Sequence, residues 1–92
     1  MAITIQTNKT QSAFVTGTPT ANFKENVLPL KFASRFIKIA VTGGTIQFSF
    51  NKKDVDGEVQ TGETINFDGM QTSELSFKAT SGTPVMRVWV YK

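Results

Sequence analysis

The stretch that decides the fold is RFIKIAVTGGTIQFSF, residues 35–50. Apolar and polar residues alternate on both sides of Gly43-Gly44, and such alternation is typical of half-buried β-strands. A pair of glycines supplies the positive φ angles that a two-residue hairpin loop needs. We therefore predict a β-hairpin that turns at Gly43-Gly44 and in which Val41 faces Ile46.

One face of this predicted hairpin is continuously apolar, and we assign it to the core. Its members are Ile37, Ile39, Val41, Ile46, Phe48 and Phe50. A slip of one residue would move the whole apolar set to the other face, so the register is strongly specified.

A second hairpin is predicted at the C-terminal end of the chain, with Ser81-Gly82 as its loop. The last strand, residues 84–91, is apolar on both sides near its end, because Trp89 and Tyr91 lie opposite the core-facing positions. A strand of this kind is usually covered on both faces. The second cover is either the N-terminal arm of the same chain or another subunit.

The first 33 residues are predicted to form an extended arm together with edge strands. Pro29 cannot donate to a strand ladder, so residues 27–33 are predicted to be an edge strand or an extended arm rather than a central strand. Residues 51–62 are polar and rich in turn formers, and Asp56-Gly57 predicts a hairpin turn in a projecting ribbon or loop.

Short strands recur about every ten residues, and no stretch shows helical periodicity. We predict one all-β domain over residues 1–92, a small antiparallel sandwich of about seven to eight strands.

The 92 residues include no Cys and no His. The net charge is +3, and the charged residues are scattered along the chain. Disulfides and catalysis by Cys or His are excluded, and we predict no metal or cofactor. No signal peptide or membrane-spanning run is visible, which predicts a soluble protein synthesised in the cytoplasm.

Three local patterns are weighed as sites and set aside. Residues 54–58, DVDGE, resemble a fragment of a calcium loop, but the further ligands of that loop are missing. Phe48 and Phe50 beside Lys52 and Lys53 could form a platform for single-stranded nucleic acid, although both aromatics share the core face. The acids lie mostly in turns or at strand ends, so we predict no enzyme.

The residues Arg87, Trp89 and Tyr91 share one face of the last strand and are of the types enriched at interface hot spots. The same residues could stack on a sugar ring. Two apolar pairs in the N-terminal arm are predicted to join them. The predicted contact residues are Ile3, Ile5, Leu28, Leu30, Arg87, Trp89 and Tyr91.

The last sixty residues resemble small accessory structural proteins of tailed-phage virions. The resemblance lies in the Phe-rich strand of residues 46–50, the Gly62-Glu63 step and the closing strand SGTPVMRVWVY, residues 81–91. It implies a jelly-roll-like sandwich, located in the virion, that acts as a capsid decoration, head-fibre or tail-associated subunit. It also implies a homo-oligomer, commonly a trimer, that binds other virion subunits. The alternatives are a carbohydrate- or receptor-binding module and a small barrel that binds single-stranded nucleic acid.

Overall fold

The computed structural model describes residues 3–92, except for the side chains of residues 69–71 and 73. The elements are β1 (Ile3–Asn8), β2 (Ser12–Gly17), the short 3-10 helix η1 (Phe23–Glu25), β3 (Val27–Ser49), β4 (Gly57–Val59) and β5 (Thr64–Tyr91). Hydrogen bonds join the strands in the order β1-β2-β5-β3-β4. Within the described residues, no helical segment has the length and hydropathy that a membrane crossing requires. The predicted all-β class is confirmed.

The two long strands, β3 and β5, pair along most of their length. Residues 36–49 of β3 run beside residues 76–91 of β5, with Ile37 opposite Val90 at one end. The residue numbers rise on one strand as they fall on the other, as in an antiparallel ladder.

A second ladder joins the same two strands on the other side of β3. Residues 27–40 run beside residues 64–76, again in opposite directions, with Leu28 opposite Leu75. As a result, the middle of β3 has a β5 partner on each side.

Both predicted glycine hairpins are wrong for this reason. Ile39 pairs with Ile65 on one side and Val88 on the other, and Val88 pairs with Val15 on its own other side. Neither strand therefore has an edge left for the predicted hairpin partner. Alternation correctly predicts which residues of these strands face the core. It does not predict the pairing, because the partner of each strand lies far along the chain rather than across the nearest glycine.

Three glycines instead form a corner at which β3 and β5 bend together. Gly44 pairs with Gly82, and Gly43 and Gly82 have φ angles of 81° and 67°. A Cβ on Gly82 would lie 2.8 Å from the Gly43 carbonyl oxygen. The corner therefore needs glycine both for its positive φ angles and for the close approach of two backbones.

The bend folds the sheet into two layers that face each other. The first layer contains, in spatial order, β1, β2, residues 85–91, residues 36–42 and residues 64–68. The second layer contains residues 27–29, residues 74–79, residues 45–49 and β4. Strands that cross between two packed layers in this way form a jelly-roll-like sandwich.

One apolar core fills the space between the layers. The predicted core face of β3 is confirmed, since Ile37, Ile39 and Ile46 are fully buried. Phe48 of the second layer packs edge-on against Phe67 of the first, with ring centroids 5.2 Å apart. The largest buried side chains are Phe48, Phe77, Leu28, Ile37, Ile39, Ile46, Leu75 and Met86.

The loop of residues 50–56 is compact rather than a projecting ribbon. The Asn51 side-chain carbonyl accepts hydrogen bonds from the backbone N–H groups of Lys53 and Asp54, each at 2.9 Å. The predicted turn at Asp56-Gly57 is wrong, because Gly57 lies in β4 opposite Phe48. A Cβ on Gly57 would collide with the Phe48 ring, so the glycine serves packing instead of a turn.

Candidate functional site

The predicted contact residues divide into a buried set and a surface set. Ile3 and Leu28 are 2% and 0% exposed and belong to the core of the single chain. Ile5 and Leu30 are half-buried and pack against that core. The surface that the prediction leaves for a partner is therefore that of Arg87, Trp89 and Tyr91, which lie together on the solvent side of the first layer.

We call this solvent side the outer face. Alternation along the paired strands fixes its membership, because every second residue of each strand points away from the core. Its residues on β2, β3 and β5 are Ser12, Phe14, Thr16, Phe36, Lys38, Ala40, Thr42, Thr64, Asn66, Asp68, Val85, Arg87, Trp89 and Tyr91.

Trp89 is half-buried between neighbours of its own layer. Phe14 of β2 lies directly opposite it, with ring centroids 5.5 Å apart. On the other side, Nζ of Lys38 lies 5.3 Å from the Trp89 ring centroid, within cation–π distance. The N-terminal arm therefore lies beside the last strand in the same layer and does not cross the outer face.

A second aromatic pair continues the outer face toward the C-terminus. The rings of Phe36 and Tyr91 lie across adjacent strands with centroids 5.9 Å apart. Tyr91 is 45% exposed. The two pairs together give a rigid aromatic surface, because each ring is packed against a cross-strand partner.

The other end of the outer face is a shallow depression of about 200 Å³, lined by Ala40, Thr42, Val85 and Arg87. Val85 is 46% exposed there. Arg87 lies opposite Ala40, and Lys38 lies opposite Trp89, so the two cations are diagonal neighbours on adjacent strands.

The charge of the outer face is positive at its centre. Lys38 and Arg87 are its central ionisable residues, and Asp68, its acid, lies on the edge strand as a diagonal neighbour of Lys38 and not of Arg87. The surface therefore combines aromatic anchors with cations that are available to a negatively charged group.

The sequence prediction missed Phe14, Phe36 and Lys38 as members of this site. The only signal for Phe14 and Phe36 in the sequence is that each is a large apolar residue at a position that alternation assigns to solvent. Their proximity to Trp89 and Tyr91 depends on which strands pair, and that pairing is long-range.

Two of the patterns that were set aside can be placed in the structure. Phe48 is 1% exposed, so it has no ring surface for a nucleic-acid base. The Asp56 carboxylate accepts the Phe50 backbone N–H at 2.8 Å, and the Asp54 carboxylate accepts from the Asn51 side chain at 2.7 Å. These acids therefore brace the loop, and no group of three acids in the described residues is arranged to hold a metal ion.

No family model and no curated protein matches the chain. Solved structures resemble it at low identity. A transcriptional regulator of the HTH_3 family from Vibrio cholerae is 18% identical over 98% of this chain, with a TM-score of 0.59, and the chain spans 49% of that protein. The Cupin_2 domain of an XRE-family transcriptional regulator from Enterobacter cloacae is 11% identical over 100% of this chain and 98% of its own length, with a TM-score of 0.61.

A third similar structure is that of FeII HppE, which is 15% identical over 88% of this chain and 42% of its own length, with a TM-score of 0.54. Iron is held by oxygen, nitrogen or sulfur ligands. The interior of this chain does not fit such an ion, because the core cluster is apolar. The buried polar side chains of the described residues, Asn26, Ser34, Ser49 and Ser76, already form hydrogen bonds within the protein. The chain has no His or Cys, and its acids lie on the surface, with Glu74 half-buried.

These likenesses show a jelly-roll-like β fold of the kind found in cupin domains. They also correct the predicted function. The prediction of a phage virion subunit is wrong, because the similar structures are cupin domains, domains of transcriptional regulators and a metal enzyme. The resemblance of the last sixty residues to phage accessory proteins stays a prediction.

Proposed function

We propose that this chain is a non-catalytic binding module whose outer face binds an acidic surface of another protein. The observation that carries the proposal is the composition of that face. It presents two packed aromatic pairs around two central cations, on a sheet whose other side is sealed by the core.

The filled interior favours the outer face as the working surface. A ligand site inside a jelly roll needs a cavity, and the space between these layers is occupied by side chains that are almost fully buried. Among the similar structures are domains of transcriptional regulators, which is consistent with a module that acts together with another polypeptide.

The charge of the outer face decides what kind of partner it fits. Stacking two outer faces against each other would bring Lys38 and Arg87 of one copy toward the same cations of the other. Like charges placed together at an interface cost several kcal/mol. A partner that offers carboxylates beside apolar side chains would satisfy both cations and cover the aromatic rings, so it fits better than a second copy.

The protein contains its own reporter for this proposal, since Trp89 is its single tryptophan. A short synthetic peptide of alternating Glu and Leu or Phe residues would be titrated while the Trp89 emission is recorded. We expect a saturable change that weakens as salt is added. A matched peptide with Lys in place of each Glu should produce no saturable change.

The variant that tests the site is Arg87→Glu, and its control is Lys53→Glu. Lys53 is exposed in the loop of residues 50–56, so both variants change the net charge equally. We expect Arg87→Glu to weaken peptide binding roughly tenfold or more, about 1.4 kcal/mol or above. The proposal would be overturned if both variants bound the Glu peptide equally. It would also be overturned if the unmodified protein responded to the Lys peptide as it does to the Glu peptide.

A further inference from the structure

The depression at one end of the outer face is framed by two cross-strand pairs. Ala40 lies opposite Arg87, and Thr42 lies opposite Val85 on the same two strands. Adjacent strands are about 4.8 Å apart, and residues of one face repeat about every 7 Å along a strand. The depression is therefore about one residue wide in each direction.

The size of the depression limits what it can hold. Pockets for drug-sized ligands enclose about 300–1,000 Å³, whereas this depression has a volume of about 200 Å³. Its walls combine the apolar side chains of Ala40 and Val85 with the Arg87 guanidinium. An occupant of matching size and chemistry has one short apolar group and one negative charge close beside it.

Arg87 differs from Lys38 in having no acid beside it among the described residues. It is exposed and forms no ion pair with any side chain that the structure describes. The residues opposite it on the two adjacent strands are Ala40 and Thr16, both uncharged. Lys38, by contrast, has Asp68 as a diagonal neighbour. A carboxylate can therefore bind the Arg87 guanidinium through two parallel hydrogen bonds without displacing an acid of the protein.

Hydroxyl groups add donors around Ala40. Thr42 follows Ala40 on the outer face of the same strand, and Thr64 lies opposite Ala40 on the side away from Arg87. Both threonines are exposed. The acid next to Thr64 in the chain, Glu63, already accepts the Gln60 backbone N–H at 2.7 Å. Ala40 is therefore surrounded by one cation and two hydroxyl groups that can donate to a carboxylate.

We propose that the depression binds the C-terminal residue of the acidic partner, with its α-carboxylate on Arg87 and an aliphatic side chain between Ala40 and Val85. The inference rests on the proposed function, because it names the part of the partner that meets Arg87. A C-terminal residue carries its carboxylate and its side chain on one carbon, so both fit a space one residue wide.

An acid inside a chain uses this space less fully. An internal Glu offers only two methylene groups to the apolar wall. In an extended chain, the next side chain on the same side of the partner is two residues away, at about 7 Å. It would therefore lie beyond the depression rather than inside it.

The test compares peptides that differ at their C-terminal end. The probe is acetyl-Gly-Glu-Ser-Glu-Leu with a free carboxylate, titrated while the Trp89 emission is recorded. Its control is the same peptide with an amidated end and one further Glu after the acetyl group, which keeps the net charge equal. We expect the amide to bind roughly tenfold more weakly, because the paired hydrogen bonds to Arg87 are lost. A terminal Gly in place of Leu should weaken binding several-fold, because the apolar contact is lost.

Two variants of the protein test the depression itself. Ala40→Leu fills it and leaves Arg87 in place, and Ala21→Leu is its control, at an exposed position outside the outer face. We expect Ala40→Leu to bind the free Leu peptide roughly tenfold more weakly, and Ala21→Leu to bind it like the unmodified protein. Val85→Thr keeps the branched shape of an exposed side chain. It should reduce the preference for Leu over Gly and keep the preference for the free carboxylate.

Equal binding of the free and amidated peptides would overturn the inference. If that equal binding is still weakened by Arg87→Glu, the proposed function stands and the acid at Arg87 is an internal one. An undiminished preference for terminal Leu in both Ala40→Leu and Val85→Thr would also overturn it, because the chain end would then bind elsewhere. N-acetylleucine should bind more weakly than the peptide, and equal binding would identify a free small acid as the occupant instead.

Discussion

The two sides of residues 85–91 differ in how deeply their side chains are buried. On the inner side, Met86, Val88 and Val90 are 0% exposed and belong to the core. On the outer side, Val85 and Tyr91 are 46% and 45% exposed. Alternation therefore places one side of the strand in the core and leaves residues of the other side exposed, although both sides carry large apolar residues. The difference predicts that equivalent truncations on the two sides will have unequal effects on folding.

The largest effect is expected for Phe48→Ala in the core, with Phe36→Ala on the outer face as its control. Removing a fully buried Phe ring typically lowers the free energy of unfolding by about 3–5 kcal/mol. Phe36 is half-buried and pairs with Tyr91, so its truncation should cost about 1–2 kcal/mol. Urea denaturation of both variants would measure the difference. Equal losses would contradict the division between a structural inner side and an exposed outer side.

The contact between Gly57 and Phe48 offers a sharper test of core packing. A Cβ at residue 57 would collide with the Phe48 ring. We expect Gly57→Ala to lower the free energy of unfolding by about 1–3 kcal/mol, the usual range for overpacking. In the background Phe48→Leu, which removes the ring, the same substitution should cost clearly less. Additive losses in the double variant would show that the ring is not what excludes a side chain from residue 57.

The close approach of two backbones at the glycine corner should add a smaller destabilisation to Gly82→Ala, and Gly62→Ala is its control. Gly82 and Gly62 both have positive φ, at 67° and 83°, so alanine costs about 1–2 kcal/mol of backbone strain at either site. Only at Gly82 would the new Cβ also approach the Gly43 carbonyl oxygen, at 2.8 Å, whereas nothing lies within 4 Å of a Cβ at Gly62. We therefore expect Gly82→Ala to be the more destabilising in thermal denaturation. A smaller effect at Gly82 would mean that the two backbones do not meet at this corner.

The corner also marks where prediction from the sequence succeeded and where it failed. Alternation around Gly43-Gly44 assigned Ile37 and Ile46 to the core, and both are fully buried. It could not assign their partners, because a hairpin and a bend between two paired strands both need glycine at the same place and give the same inward faces. Choosing between them depends on contacts between residues far apart in the chain, as in the pairing of Gly44 with Gly82.

The candidate site was only partly predictable for the same physical reason. Arg87, Trp89 and Tyr91 follow from alternation within one strand. Phe14 and Lys38 join Trp89 from strands on either side of it, and their adjacency exists only once the sheet order is known. Ile3 and Leu28 are among the predicted contact residues as members of the predicted N-terminal arm. Both are instead buried in the core of the single chain.

The smallest effect concerns the contact of Lys38 with Trp89 on the outer face. A cation over an aromatic ring that solvent can reach contributes about 0.5–1 kcal/mol. A double-mutant cycle of Lys38→Met and Trp89→Leu should return a coupling of that size in the free energy of unfolding. The same cycle with Lys53→Met should return none, because Lys53 lies in the loop of residues 50–56 and not on the outer face.

The result of this cycle also bears on recognition. Methionine keeps most of the length of the lysine stem, so packing on the ring is largely retained and the coupling reports the charge. A coupling near the expected value means that a partner's carboxylate must compete with the Trp89 ring for Lys38, or bind the ammonium while it stays over the ring. A coupling near zero leaves the Lys38 ammonium fully available. In that case Lys38→Met should weaken binding of the acidic peptide as much as Arg87→Met does, whereas a strong coupling predicts the larger loss for Arg87→Met.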